Sequence, residues 1–218
     1  MRAGFYTLGC KVNQYETQLM REALQNRGYD IVEIDDYPDV FIINSCTVTA
    51  ESDRKTRSTV RKIRKKLPDS VIVLTGCVPQ AFPSVANELE MADIVIGNAS
   101  NADLPEYLDR FFIDRQRIID INPHKKENVN ATISGFESRT KAFMKIQDGC
   151  DRFCTYCIIP YARGRIRSKP IEDITAEVQS LADRGHREVV LIGINLTAYG
   201  TGDGADIADA VKAAASVE

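Results

Sequence analysis

The sequence has no apolar run long enough to cross a lipid bilayer. Its longest apolar stretches, such as VIVLTGCV and DIVIG, are far shorter than the roughly 20 residues that a membrane helix needs. The first residues, MRAGFYTLGC, show no signal-peptide pattern and lead directly into strand-like sequence. These absences argue against a membrane protein and predict a cytoplasmic one, whose cysteines serve metal or redox chemistry instead of disulfides.

Histidine and net charge are both scarce. The 218 residues include only two histidines, His124 and His186, and neither belongs to an obvious pair of metal ligands. The net charge of −3 provides no overall attraction to nucleic acid, so any such binding must depend on local patches. Apolar residues make up 44% of the chain and charged residues 27%, which is typical of a globular protein with a buried core.

Short apolar runs alternate with helical stretches along the first half of the chain. The runs GFYTL, DIVEI, VFIIN, SVIVLTG and ADIVIGN are predicted strands. Helices are predicted from Tyr15 to Asn26, from Glu51 to Lys66 and in the segment that ends at Glu90. This alternation predicts an α/β fold whose N-terminal domain, residues 1–121, is a parallel sheet between two layers of helices.

The remaining residues predict a linker and an incomplete second domain. Residues 122–138 are polar and without sustained periodicity, which is typical of a linker. Residues 139–218 contain the predicted strands KAFMKIQ and EVVLIGI, with helices at Pro170–Asp183 and near Ala205–Ala215. Because two strand–helix units are too few to close a βα barrel, this domain is predicted to be the first part of a partial barrel, cut short.

Three of the six cysteines lie in the nine residues GCDRFCTYC, directly after a predicted strand. Cys150, Cys154 and Cys157 are spaced C-x3-C-x2-C. A structural zinc site would need a fourth ligand, and a conventional iron–sulfur cluster would need four thiolates. Three thiols on one loop therefore favour a [4Fe–4S] cluster with one iron open to a substrate or cofactor, and the alternative is a zinc knuckle or chance clustering.

The other three cysteines are distant in sequence but share a local setting. Cys10, Cys46 and Cys77 each follow an apolar strand, in FYTLGC, FIINSC and VIVLTGC. Because the carboxyl ends of parallel strands meet at one edge of a sheet, these thiols are predicted to converge there. They could hold a second cluster that again lacks one ligand. The alternative is three inert buried cysteines, since free cysteine is among the most buried residue types.

The spacing of the loop cysteines resembles the C-x3-C-x-Φ-C signature of radical S-adenosylmethionine (SAM) enzymes, with Tyr156 as the aromatic Φ. In order along nearly the whole chain, the segments TLGCKVNQYET, NSCTVTAESDRKTR, TGC and IQDGCDRFCTYCIIPYARGRIRS resemble the methylthiotransferase family. Branches of that family modify isopentenyladenosine in tRNA, threonylcarbamoyladenosine (t6A) in tRNA, or an aspartate of a ribosomal protein. LGCKVNQYE and CIIPYARG are most similar to the bacterial t6A branch.

The resemblance implies a transferase of sulfur-containing groups that uses SAM and two [4Fe–4S] clusters. The radical cluster would bind SAM and cleave it to a 5′-deoxyadenosyl radical, which removes hydrogen from C2 of the adenosine just 3′ of the anticodon (position 37). The auxiliary cluster would carry the sulfur that is inserted there as a methylthio group. The implied ligands are Cys150, Cys154 and Cys157 for the radical cluster and Cys10, Cys46 and Cys77 for the auxiliary cluster.

The same resemblance implies partners and an incomplete chain. The partners would be tRNA and an electron donor such as flavodoxin or ferredoxin, with no membrane. Full-length members of the family complete the barrel and end in a small TRAM domain that binds RNA. The chain is therefore expected to be an N-terminal fragment of such a protein.

Several residues beside the cysteines are candidates for cofactor or substrate binding. Tyr156 in the loop, and Gly193 and Asn195 at the end of the second barrel strand, are expected to lie near SAM. In PYARGRIRSK, four basic residues occupy alternate positions and would share one face of an extended segment. Of these, Arg163 and Arg167 match the family pattern and are expected to contact RNA phosphates, unless the face is only solvated.

Two functions from other classes stay open at this point. An electron-transfer protein of the ferredoxin type would hold each cluster with four thiolates, and six cysteines grouped three and three count against it. A zinc-dependent RNA-binding module would contain zinc and no acid-labile sulfide.

Overall fold

The computed structural model describes residues 1–136, 140–201 and 204–217. Six strands form one sheet in the order β2-β1-β3-β4-β5-β6, and every pair of neighbours is parallel. The strands are β1 (Arg2–Thr7), β2 (Asp30–Ile31), β3 (Val40–Ser45), β4 (Val71–Gly76), β5 (Ile94–Ile96) and β6 (Ile118–Asp120). All six carboxyl ends therefore point to the same edge of the sheet.

Helices cover both faces of this sheet, which confirms the predicted α/β fold. They are α1 (Lys11–Asn26), α2 (Ala50–Lys66), α3 (Cys77–Ala81), α4 (Val85–Glu88) and α5 (Leu104–Asp114). Val71 and Val73 pack in a core with α1 and α5, whereas Ile72 and Leu74 pack in a second core with α2 and α4. Successive strand residues thus enter opposite cores, as the two-residue period of a strand requires. Within the described residues, no helix is long and apolar enough to cross a membrane.

In the first part of the chain, one local prediction was wrong and one strand was missed. The helix expected to reach Glu90 is divided into α3 and α4, because Pro83 follows Phe82 and disfavours a helical conformation at the residue before it. Strand β6 was not predicted, because three residues are too few to show a period. It adds an edge strand that pairs in parallel with β5.

The second part of the chain contains two parallel strands joined through a helix. Its elements are β7 (Lys141–Lys145), β8 (Gln147–Asp148), α6 (Ile159–Arg163), β9 (Arg167–Ser168), α7 (Ile171–Asp183), β10 (Glu188–Ile192) and α8 (Ile207–Ala215). β7 and β10 pair in parallel with α7 between them in sequence, which is the expected first part of a βα barrel. The predicted strand KAFMKIQ is interrupted at Ile146, and β8 pairs antiparallel with β9 instead.

A shared apolar core joins the two parts. It contains Val12 and Tyr15 from α1, Ile133 from the predicted linker, Leu181 from α7 and Ile192 from β10, all buried. The predicted linker, residues 122–138, thus packs against both parts through Ile133. The division at residues 121, 138 and 139 stays a prediction, and its second boundary lies outside the described residues.

A buried ion pair reinforces this core. The Lys169 ammonium and the Glu177 carboxylate form a salt bridge with neither side chain exposed. Lys169 Nζ also donates to the Ala131 carbonyl at 2.9 Å and to the Tyr15 hydroxyl at 3.2 Å. The pair therefore holds α1, the segment before Ile133 and α7 together at one point.

Replacing Lys169 with methionine should destabilise the chain strongly. The change keeps the volume but leaves the Glu177 carboxylate buried without its cation, which costs about 3–5 kcal/mol in the free energy of unfolding. Urea unfolding of the chain measures this loss. The matched control is Lys212→Met on α8, where the lysine side chain is 77% exposed and stability should hardly change. Equal effects of the two changes would contradict this account.

Candidate metal centres

Cys10, Cys46 and Cys77 lie at one edge of the large sheet. Cys10 caps the N-terminus of α1 just beyond β1, Cys46 directly follows β3, and Cys77 begins α3 directly after β4. Because β1, β3 and β4 are neighbours in the sheet, the three cysteines occupy adjacent positions. Cys46 and Cys77 are buried, whereas Cys10 is exposed. We call these three residues the sheet-edge cysteines.

Two glycines allow the chain segments at this edge to approach closely. Gly9, with φ of +107°, precedes Cys10, and a Cβ at Gly9 would lie 2.7 Å from Cys46 Cβ and 2.9 Å from Cys46 Sγ. Gly76, with φ of +99°, precedes Cys77, and a Cβ there would lie 2.4 Å from the Ser45 carbonyl oxygen. Any other residue would be strained in conformation and in steric contact at both positions. The Gly-Cys pairs therefore bring the segments of Cys10 and Cys77 against the end of β3.

Asparagine side chains connect the same segments. Asn13 Oδ1 accepts a weak hydrogen bond from Cys10 Sγ at 3.4 Å, and Asn13 Nδ2 donates to the Ser45 carbonyl at 2.9 Å. Asn98 Nδ2 lies 3.7 Å from Cys77 Sγ and donates to the Ala162 carbonyl at 3.1 Å. These amides position the loops that carry the thiols, and Asn98 also ties them to helix α6.

The guanidinium of Arg163 reaches this edge from α6. Its side chain is 1% exposed, its Nη2 donates to Asn13 Oδ1 at 2.8 Å, and its Nη1 forms a salt bridge with Glu16 of α1. Burial raises the pKa of the Cys77 thiol to about 11, and the positive charge of Arg163 acts against that rise. Arg163 is therefore a buried cation near the sheet-edge cysteines.

Further charged side chains are buried around Arg163. Lys145 Nζ lies 3.2 Å from Glu16 Oε1 and 3.0 Å from Asp148 Oδ2. Arg167 Nη2 lies 3.4 Å from the same Asp148 oxygen, and Arg163 Nη1 lies 3.7 Å from it. These cations hold the pKa of Asp148 well below its usual range, although burial alone would raise it. We call these five residues the buried charge cluster.

The loop of Cys150, Cys154 and Cys157 adjoins this cluster. It begins directly after Asp148, and the Cys150 amide donates to the Gly164 carbonyl at 3.0 Å. Gly149 has φ of +75°, and a Cβ there would lie 1.9 Å from the Arg165 carbonyl oxygen. The loop therefore folds tightly onto the segment after α6, and its second cysteine, Cys154, is exposed. We call these three residues the loop cysteines.

One of the predicted cofactor residues, Asn195, lies beside a loop cysteine. The Asn195 side-chain nitrogen is 4.0 Å from Cys150 Sγ, and its backbone amide donates to Gln147 Oε1 at 2.7 Å. A Cβ at Gly193 would lie 2.9 Å from Gln147 Oε1, so packing against Gln147 alone already requires glycine. Tyr156 is 91% exposed and points away from the protein core.

The expectation for the basic segment after α6 was wrong. Arg163, Arg165, Arg167 and Lys169 do not share an exposed face, because α6 ends at Arg163 and only Arg167–Ser168 is extended. Arg163 and Arg167 are buried and paired with carboxylates of the cluster, so they are not available to RNA phosphates in this conformation. Only Arg165 is exposed, with 81% of its side chain accessible.

The described residues form no ready site for a single metal ion, but buried polar atoms without partners surround the charge cluster. Among the residues that the structure describes, no three His, Cys, Asp or Glu side chains are arranged to hold one metal ion. Five buried polar atoms around the charge cluster have no hydrogen-bond partner in the described chain: Glu16 Oε2, Asn98 Oδ1, His124 Nδ1, Arg163 Nε and Arg167 Nε. Unpaired polar atoms at this density are rare in buried regions and mark a place where a further polar group belongs.

Sequence reasoning missed the buried charge cluster. Asn13 and Glu16 are polar residues on the buried side of α1, while Lys145 is the last residue of β7 and Asp148 the last residue of β8. The available signal was the occurrence of polar residues at positions where the helical and strand periods predict apolar ones. Such residues are usually hydrogen-bonded or ion-paired when buried.

Two family profiles match the chain. The profile described as "Uncharacterized protein family UPF0004" matches residues 2–97, which include the sheet-edge cysteines. The profile of the radical SAM superfamily matches residues 144–217, which include the loop cysteines.

Curated relatives are similar over most of the chain. "Threonylcarbamoyladenosine tRNA methylthiotransferase MtaB" of Aquifex aeolicus is 38% identical over 92% of this chain and 49% of its own length. The protein of the same name from Bacillus subtilis is 39% identical over 90% of this chain and 44% of its own length. "tRNA-2-methylthio-N(6)-dimethylallyladenosine synthase" of Staphylococcus haemolyticus is 33% identical over 89% of this chain and 39% of its own length. The chain thus spans about half the length of the MtaB relatives.

A solved structure shares the fold. The radical S-adenosylmethionine methyltransferase TsrM from Kitasatospora setae matches 97% of this chain and 50% of its own chain, with a TM-score of 0.62. Because the two sequences are only 14% identical, this likeness concerns the fold alone.

His124 predicts a pH dependence of stability. Its Nε2 donates to the Ala162 carbonyl at 3.2 Å, while burial and then the positive charge of Arg167 lower its pKa to about 4. The unfolded chain binds a proton on this histidine near its ordinary pKa of about 6.5. The contribution of His124 to the free energy of unfolding should therefore be fully present above pH ~6.5 and be lost as the pH falls towards ~4. At pH 5 the loss should be about 2 kcal/mol.

Urea unfolding at pH 7 and pH 5 checks this prediction, with His124→Gln as the comparison. The glutamine variant should lose less stability than the unchanged chain over that interval, because its side chain does not titrate. An identical pH dependence of the two proteins would show that His124 is not responsible.

Proposed function

The chain belongs to the radical SAM methylthiotransferase family, in which it is MtaB-like, and on that premise we propose that it acts in the methylthiolation of tRNA. The proposed reaction adds a methylthio group to C2 of t6A at position 37, next to the anticodon. The observation that carries this proposal is the presence of two three-cysteine sets, which belong to separate parts of the chain and adjoin the same buried charge cluster.

Each cysteine set would hold one [4Fe–4S] cluster with an iron left open. The loop cysteines would hold the cluster that binds SAM, and the sheet-edge cysteines would hold the auxiliary cluster. Together with SAM, these groups would supply the radical that activates C2 and the sulfur that is transferred. Each cluster would need an iron without a protein ligand, because SAM would bind to one cluster and the transferred sulfur to the other.

The protein residues around the clusters bind and orient them. Asn195 is held by Gln147 with its side chain towards Cys150, where it would contact the amino group of SAM. Gly193 keeps the strand end free of a side chain beside it. Asn98 and Asn13 direct their side chains to the thiols of Cys77 and Cys10. Tyr156 is exposed next to the third loop cysteine, where it would border the cofactor.

The t6A substrate is favoured over its main alternative by sequence similarity. The two MtaB relatives are 38% and 39% identical to this chain, whereas the dimethylallyladenosine synthase is 33% identical over a similar length. The second candidate is therefore methylthiolation of dimethylallyladenosine in tRNA. In both cases the proposed partners are tRNA and an electron donor such as flavodoxin or ferredoxin.

The nucleosides of cellular tRNA test this proposal. The gene that encodes this chain is expressed in a bacterium whose own t6A and dimethylallyladenosine methylthiotransferases are deleted, and digested tRNA is analysed by mass spectrometry. We expect methylthio-t6A to appear and methylthio-dimethylallyladenosine to remain absent. Cys77→Ala should abolish the product, and Lys212→Met should not. Methylthiolation of dimethylallyladenosine would favour the second candidate, and product from neither nucleoside would contradict the proposal.

A further inference from the structure

Arg163 joins two parts of the protein that are far apart in sequence. Its guanidinium contacts Asn13 and Glu16, which lie on the helix that starts at Cys10. Its own backbone carbonyl accepts a hydrogen bond from Arg167 Nη2 at 2.8 Å. The next carbonyl in the chain, that of Gly164, accepts from the Cys150 amide at 3.0 Å. Arg163 and the glycine that follows it therefore contact the surroundings of both cysteine sets.

The charge cluster around Arg163 contains one positive charge in excess. It has three cations, Lys145, Arg163 and Arg167, but only two anions, Glu16 and Asp148, and all five are buried. His124, which lies beside Arg167, does not change this balance at neutral pH, because its pKa of about 4 keeps it uncharged. A buried cation without a counterion is strongly unfavourable, so an anionic group is expected nearby.

Two arginine donors of the cluster have no acceptor in the described chain. Arg163 Nε and Arg167 Nε are both buried and lack an acceptor among the described residues. Arg163 and the Cys10 thiol share one acceptor: Asn13 Oδ1 accepts from Arg163 Nη2 at 2.8 Å and from Cys10 Sγ at 3.4 Å. Three thiolates outweigh the charge of an oxidised [4Fe–4S] core by about one negative charge, and net charge and hydrogen bonds to sulfur set the potential of such clusters. The excess charge of the protein and that of the cluster are thus complementary.

We propose that Arg163 is a positioning residue for the auxiliary cluster: its buried guanidinium balances the charge of the cluster on the sheet-edge cysteines and raises the reduction potential of that cluster. This inference rests on the proposed function, because it requires a cluster on Cys10, Cys46 and Cys77. It assigns to Arg163 a role inside the protein in place of a contact with RNA. In this role Arg163 contacts Glu16 and Asn13 but neither the substrate nor the cofactor. It acts on the cluster only through its positive charge.

Reduction potentials of the isolated auxiliary cluster test the proposal. The loop cysteines are first replaced together by alanine in the full chain, so that only the sheet-edge cysteines can hold a cluster after anaerobic reconstitution. Arg163→Met and Arg163→Lys are made in this background, with Arg165→Met as the matched control, because Arg165 lies two positions away and is 81% exposed. Each protein is titrated with dithionite and followed by EPR, with iron and sulfide counts.

Arg163→Met should make reduction at least tenfold less favourable, which lowers the one-electron midpoint potential by ~59 mV or more. Arg163→Lys, which keeps the charge, should lower it less, and Arg165→Met should leave it unchanged. The proposal would also be supported if Arg163→Met lost the cluster while Arg163→Lys retained it. For this comparison the two proteins must have the same melting temperature without a cluster.

Two results would overturn it. Arg163→Met with the same iron content and midpoint potential as Arg165→Met would show that the buried charge does not act on the cluster, while the proposed function would stand. Failure of the background protein to bind any cluster with Arg163 intact would remove the cluster assignment itself, and with it both proposals.

Discussion

Arg163 on α6 and Glu16 on α1 form an ion pair that is almost completely removed from water. Burying two such charges costs several kcal/mol, which is recovered only if further bonds satisfy the remaining donors and acceptors. Asn13 and Lys145 supply part of these bonds at distances of 2.8 and 3.2 Å. The position of α6 relative to the sheet edge therefore depends on this pair. Since the loop cysteines fold onto the segment that follows α6, their position depends on it as well.

Three Gly-Cys pairs impose a second constraint, which acts through the backbone. Gly9 and Gly76 have positive φ angles and bring the segments of Cys10 and Cys77 against the end of β3. Gly149 does the same for the loop, where the Arg165 carbonyl occupies the space of a side chain. In each case a thiol follows directly after the glycine, so the backbone approach fixes where the sulfur can lie. The two cysteine sets are thus positioned by backbone contacts, and both adjoin the buried charge cluster.

Much of this could be predicted from the sequence, because strand ends and cysteine spacing are local signals. The three cysteines that follow apolar strands predicted the sheet-edge set, and the C-x3-C-x2-C spacing predicted the set of loop cysteines. The role of Arg163 could not be predicted from the sequence. Basic residues at alternate positions give the same pattern whether the segment is an exposed strand or enters the core. Only the position of Glu16, distant in sequence, decides between them. The packing of Ile133 against both parts likewise depends on contacts that no local pattern shows.

The central proposal is that the chain holds two clusters, each on three cysteines. Iron and acid-labile sulfide counts after anaerobic reconstitution test it most directly, in the chain and in two triple-alanine variants, one for each cysteine set. The account predicts about eight irons and as many sulfides in the chain, and about four of each in either variant. Four irons in the chain that are lost completely in one variant and unaffected in the other would contradict it, as would zinc without sulfide.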